Sequence, residues 1–249
     1  MHENTALLQP EILRADDEFI IARGRTGAEQ ASVLTVTTAT RDPSPSTLAQ
    51  LQHAHALRDE LESAWAVRPL ALTREEARLT LVLEDPGGQP LDQLCSRPLP
   101  VGEFLRVAVG LAGALGRLHQ KGLIHKDIKP ANLLVHTSSG QVWLTGFGFT
   151  ARMSREPEFV PHPPNFLAGT LAYMAPEQTG RMNHSIDARA DLYSCGVTLY
   201  QMLTGQLPFN ASDPMEWVHC HIARQPPHPG QWREDIPPAL SAIVMKLLV

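Results

Sequence analysis

Apolar positions along the chain change their period near residue 85. Before it they come in short, β-branched or alternating runs. EFIIAR (18–23) and SVLTVTT (32–38), joined by the turn-rich GRTGAEQ, predict a hairpin. RDPSPS then offers a helix start at Ser46 or Thr47. From Leu48, apolar residues recur at 51, 54, 57 and 61, which is one face of a helix. AVRPLAL and ARLTLVLE predict two further strands around the polar turn TREE. DPGGQP (85–90) is the clearest break and is read as the linker between two lobes.

Beyond the break the period is helical. VGEFLRVAVGLAGALGRLHQKG (101–122) predicts a long helix closed by Gly122. LIHKDIKPANLLV follows as a loop, then a short strand at 142–145. Residues 150–180 read as irregular, and DLYSCGVTLYQMLTG (191–205), apolar nearly all round, predicts a buried helix. The boundaries implied are a small β-rich lobe over 1–86 and a larger helical lobe over 87–249.

Composition narrows the function. The chain has 249 residues, enough to bury a large core, with 43% hydrophobic and 19% charged residues, as in ordinary soluble domains. A net charge of −5 argues against nucleic acid as a partner. Three scattered cysteines, Cys95, Cys195 and Cys220, suit a reducing compartment better than a disulfide framework. Neither a signal-peptide core nor a membrane-length apolar run occurs, so the expected location is the cytoplasm.

The candidate chemistry lies in three strings. HKDIKPANLL (125–134) sets Asp127 and Asn132 five residues apart, with Lys129 between them; GTLAYMAPE (169–177) and DLYSCGV follow. In this order they resemble the catalytic loop, the A-P-E segment and the buried helix of the protein kinase superfamily. The resemblance implies an α+β fold of two lobes. It also implies that Asp127 orients a substrate hydroxyl, Lys129 neutralises the transferred phosphoryl group, Asn132 ligates metal and Asp191 anchors the loop backbone. The Lys-Asp pair and Gly169-Thr170 resemble serine/threonine kinases. MAPEQTGRMN, YQMLTGQLPF and DPMEWVHCHIARQPP are similar to the N-terminal kinase-like domain of large bacterial signalling proteins. There an ATPase segment and a sensor histidine kinase follow, and these are the partners expected. ALSAIVMKLLV looks like a helix cut short, and the arginine that pairs with Glu177 in kinases is not found after Arg233. The chain is therefore read as a fragment.

Departures from the family pattern bear on activity. The strand position that holds a phosphate-gripping lysine falls on Thr35, and no lysine precedes Lys121. Its helix glutamate falls on Ala54. Gly146, in LTGFGFT, occupies the place of the metal-binding aspartate, leaving Asn132 as the single metal ligand. At the hinge, Glu84 offers a carbonyl, and Pro86 lacks the N–H that would meet adenine. RGRTGA keeps Gly24 and Gly27 without forming the glycine loop. ATP binding is expected to be weak and Mg²⁺ binding unfavourable. Three readings stand open: a pseudokinase with a regulatory or docking role, an active serine/threonine kinase with an unusual metal site, and a decayed product. Elsewhere, His219 and His221 of HCH point about 200° apart on a helix and read as a surface pair. His125 and Cys195 read as packed core.

Overall fold

The computed structural model describes residues 8–25, 31–75, 77–153, 169–181 and 185–249. The chain forms two compact units: 1–87 with 143–148, and 88–142 with 149–249. A β-rich unit and a helical unit make the α+β, two-lobed fold that the motifs imply.

The first unit is built on five antiparallel strands. β1 (Leu8–Ala15), β2 (Phe19–Arg25) and β3 (Ser32–Thr38) precede a helix, α1 (Pro45–Ala56), and β4 (Pro69–Glu75) and β5 (Arg78–Glu84) follow it. The sheet order is β1-β2-β3-β5-β4. β2 and β3 are the hairpin read from the sequence, in register from Phe19↔Thr38 to Arg25↔Ser32. β1 is not anticipated, because LQPEILRA has no clean alternation. It moves the first hairpin turn to residues 16–18. That turn is held by Asp16, whose Oδ1 accepts from the N–H groups of Glu18 and Phe19. β4 runs on through Thr73–Glu75, so the first three residues of TREE are strand.

α1 begins at Ser44, whose hydroxyl accepts from the Thr47 N–H, with Pro45 in the first turn. Its buried face, Thr47, Leu51 and Ala54, packs on β3, β4 and β5, and Leu57 and Leu61 continue it past the helix end. The 143–148 segment joins this unit through the parallel bridge Ala66↔Leu144 and two hydrogen bonds, Val67 N–H to Leu144 O and Leu144 N–H to Trp65 O. Trp65, only 1% exposed, is the largest side chain buried here, contributing about 2–3 kcal/mol through its removal from water.

The second unit opens with β6 (Gln89–Pro90) and α2 (Leu91–Leu94). α3 (Val101–Gln120) then buries Phe104, Val107, Leu111, Ala114, Leu115 and Leu118 along one stripe. β7 (Leu123–Ile124), β8 (Leu133–His136) and β9 (Gln141–Leu144) follow, β9 crossing into the first unit at Trp143. The β8–β9 turn lies so close to α3 that a Cβ on Gly110 would sit 2.0 Å from Gly140 O. Only glycine permits that approach. β10 (Ala151–Arg152) pairs with β7. α4 (Ala188–Thr204) is buried nearly all round, as its composition predicts, and α5 (Pro214–Ala223) and α6 (Pro238–Leu247) complete the unit. Among the described residues no helix is long and apolar enough to cross a membrane.

Candidate functional site

The loop His125–Asn132 is shaped from beneath by one buried carboxylate. Asp191, in the first turn of α4, is fully buried. Its Oδ1 accepts from the Lys126 N–H at 2.8 Å. Its Oδ2 accepts from the His125 N–H at 2.8 Å and from His119 Nε2 of α3 at 2.9 Å. This is the anchoring expected of Asp191. It also explains the backbone of Lys126, which stands at φ +68°. A non-glycine residue there carries strain of about 1–2 kcal/mol, which charge-assisted bonds to Asp191 offset. Burial pulls the Lys126 ammonium below its usual pKa, and the charge of Asp191 opposes that fall.

Above this anchor the retained kinase-like residues meet. Asn132 sits in the single 3₁₀ turn Pro130–Asn132, and its Nδ2 donates to both Asp127 O and Asp127 Oδ2 at 2.8 Å. Lys129 Nζ lies 2.8 Å from Asp127 Oδ2 and also donates to Thr170 Oγ1. Thr170 gives Asp127 Oδ1 two bonds, from its N–H at 3.0 Å and its hydroxyl at 2.9 Å. The Asp127 carboxylate thus receives four donors, which match its lone-pair capacity. Asp127, Lys129, Asn132 and Thr170 are brought together as one cluster. His125 is fully buried and its Nδ1 accepts from the Asp127 N–H, so it is a packed, bonded core residue.

Two further residues complete this site, one that the sequence reading passed over and one that it placed on the surface. Gln178 binds the loop to the segment after it: Nε2 donates to Lys126 O at 2.9 Å, and Oε1 accepts from the Ala175 N–H. Its position next to the A-P-E string is the signal that could have singled it out. His221 is not half of a surface pair. His219 is exposed, but His221 is 6% exposed and hydrogen-bonded at both nitrogens, because α5 turns that face onto α4 and the 171–173 segment.

The first unit contains the remaining candidates. Thr35 lies in the middle of β3, opposite Ala22 and Val82, 5% exposed, with its hydroxyl turned to Ala22 O. Ala54 is 6% exposed on the inner face of α1. Gly146 has φ +79°, a conformation that favours glycine, and it brings no side chain. Gly24 pairs with Val33 near the end of β2, so it does not belong to the turn between β1 and β2, and Gly27 lies outside the described residues. Glu84 ends β5; its carboxylate accepts from Ser63 Oγ and from Arg68 Nη1, and its N–H donates to Arg68 O. Asp85 pairs with Arg23 at 2.9 Å, and the half-buried Pro86 follows. Among the described residues no three His, Cys, Asp or Glu side chains cluster to hold a metal.

Comparison with known proteins supplies the wider frame. The protein kinase domain family matches residues 38–248. The serine/threonine-protein kinase pkn3 of Myxococcus xanthus is 34% identical over 183 residues, covering 70% of this chain and 33% of that protein. The serine/threonine-protein kinase PksC of Streptomyces coelicolor is 33% identical over 174 residues, covering 68% of this chain and 31% of its own length. The hybrid signal transduction histidine kinase G of Dictyostelium discoideum is 28% identical over 216 residues, covering 60% of this chain and 6% of that protein. The chain thus spans about a third of the length of the two bacterial relatives.

Proposed function

The chain belongs to the protein kinase domain family, and we propose that it is a serine/threonine-kinase-like module of a longer bacterial signalling protein, in which it regulates or docks and does not transfer phosphate. The observation that carries this reading is the lack of charge at two buried positions of the first unit. Thr35 and Ala54, where the family places a lysine and its glutamate, are both buried and neutral. A nucleotide's phosphates need a cation there, and a threonine hydroxyl bonded to Ala22 O offers none.

The family implies an ATP site, and its metal requirement can be tested against the donors present. Mg²⁺ is held through one or two carboxylates together with phosphate oxygens. Gly146 supplies no carboxylate, so of the two positions the family uses only the neutral Asn132 amide oxygen is left, its Nδ2 donating to Asp127. With no carboxylate among them, these residues do not fit the ion. Residual nucleotide affinity rests on the adenine side, around Glu84 and Pro86. The Dictyostelium relative is named a hybrid signal transduction histidine kinase, which supports a parent protein carrying such a segment; a cytoplasmic location is part of the same proposal.

Thermal-shift titrations with ATP, ADP and adenosine, each with and without Mg²⁺, test the proposal. The three ligands should stabilise alike and Mg²⁺ should change nothing. A larger, Mg²⁺-dependent effect of ATP would overturn it in favour of a working serine/threonine kinase. That second reading draws on the intact Asp127–Lys129–Asn132–Thr170 cluster. It requires phosphoryl transfer that disappears in Asp127→Ala.

A further inference from the structure

We propose that His221 is the positioning residue that holds the Thr170–Tyr173 segment against Asp127, and that its hold is strongest as a neutral imidazole. The inference goes beyond the functional reading above, because it concerns the geometry of the second unit whether or not phosphate is transferred.

His221 Nε2 lies 2.8 Å from Leu171 O, and Nδ1 lies 2.8 Å from the Tyr193 hydroxyl. A carbonyl can only accept, so Nε2 carries the hydrogen and Nδ1 accepts from Tyr193. One ring thus joins α5 to α4 and to the segment whose preceding residue, Thr170, gives Asp127 two bonds. The setting fixes the ring. Trp217, one turn earlier on α5, stacks on it at 5.9 Å and 21°, while Phe209 and Tyr193 meet it edge-on. The Leu171 carbonyl has a single-turn 3₁₀ helix, Leu171–Tyr173, behind it, so a bond lost there frees a short segment with little regular structure.

Protonation leaves the Nε2–H bond to Leu171 O in place but works against the other one. An imidazolium presents N–H groups on both sides, so the buried Tyr193 hydroxyl loses its acceptor at Nδ1 and must turn its own hydrogen away from the ring. The other titratable groups facing the site are Glu177, whose charge acts on Tyr193, and Cys220 beside it on α5. Burial, and after it the charge of Glu177, raises the pKa of the Tyr193 hydroxyl and so keeps it a donor to the ring. Stacking on Trp217 offsets only part of the cost of a buried cation. Burial pulls the His221 pKa below its usual range, and the bond to Leu171 O opposes that shift. With the folded value depressed, the stabilisation is present above the unfolded value of about 6.5 and is lost as pH falls from there through the folded value.

Amide hydrogen exchange on the whole chain reads this directly, as protection factors for Thr170 and Tyr173 at about pH 7.5 and about pH 5.5. Protection should fall by up to about tenfold at the lower pH, while amides of α3 change little. His221→Phe should show the low protection at both values. His221→Gln, which can place a side-chain N–H near Leu171 O, should restore protection and abolish its pH dependence. Wild-type protection in His221→Phe would overturn the proposal. So would a pH-dependent fall that persists in His221→Gln, and this second variant decides the matter if the first fails to fold.

Discussion

At the scale of single residues, the site is a set of acceptors saturated by donors. Asp191 is the clearest case, since one fully buried carboxylate holds two loop N–H groups and His119. Removing it leaves those donors buried and unpaired, and it leaves the left-handed Lys126 without its support. Asp191→Ala should therefore cost about 3–5 kcal/mol, the range for a broken buried charge pair. Asp191→Asn, which keeps one acceptor oxygen, should cost less, about 2 kcal/mol. Urea denaturation measures both; a loss below about 1 kcal/mol in Asp191→Ala would show that the loop holds its shape by packing alone. Gly146 makes the opposite point. At φ +79° the backbone suits glycine, so nothing in the local geometry resists the loss of a side chain there.

At the scale of elements, α1 packs on β3 of the first unit with neutral residues, Ala54 and Thr35, at the two positions in question. Thr35 on β3, between its strand partners Ala22 and Val82, and Ala54 on α1, on one face with Leu51, are both buried in the apolar interior. An isolated lysine in that interior is expensive, because its ammonium loses water and gains no partner. Thr35→Lys alone should destabilise by about 3 kcal/mol. Adding Ala54→Glu should recover about 1–3 kcal/mol of that loss if α1 and β3 approach as closely as their packing indicates. A double-mutant cycle on thermal or urea midpoints checks the coupling, and strict additivity would show that the two positions do not face each other.

At the scale of the whole molecule, all three cysteines are buried in the second unit, which makes their thiols a reporter for it. Burial, with a smaller contribution from Asp92, pushes Cys95 up to about 12, and burial with Asp191 pushes Cys195 up to about 12. Buried thiols held protonated are poor nucleophiles. An aromatic disulfide reagent near pH 8 should label none of them in native buffer and all three as urea opens the second unit. Fast native labelling would mean that this unit opens locally.

What the sequence determined by itself was local. The five-residue step from Asp127 to Asn132, the helical face 51–54–57 and the all-apolar stretch of α4 are set by neighbours within a few turns, so their periods can be read directly. The family membership followed from those strings. Only the tertiary structure decided the rest, because it depends on distant partners. β1 has little pattern of its own and becomes a strand by pairing with β2, which placed Asp16 rather than a glycine in the first turn. His221 looked like a surface residue beside His219 until Leu171, 50 residues away, and Tyr193, 28 residues away, met its two nitrogens. Likewise, Lys126 acquired its left-handed backbone from Asp191, 65 residues further on. Hydrophobic period encodes which face turns inward; which polar group waits there is settled only when the elements pack.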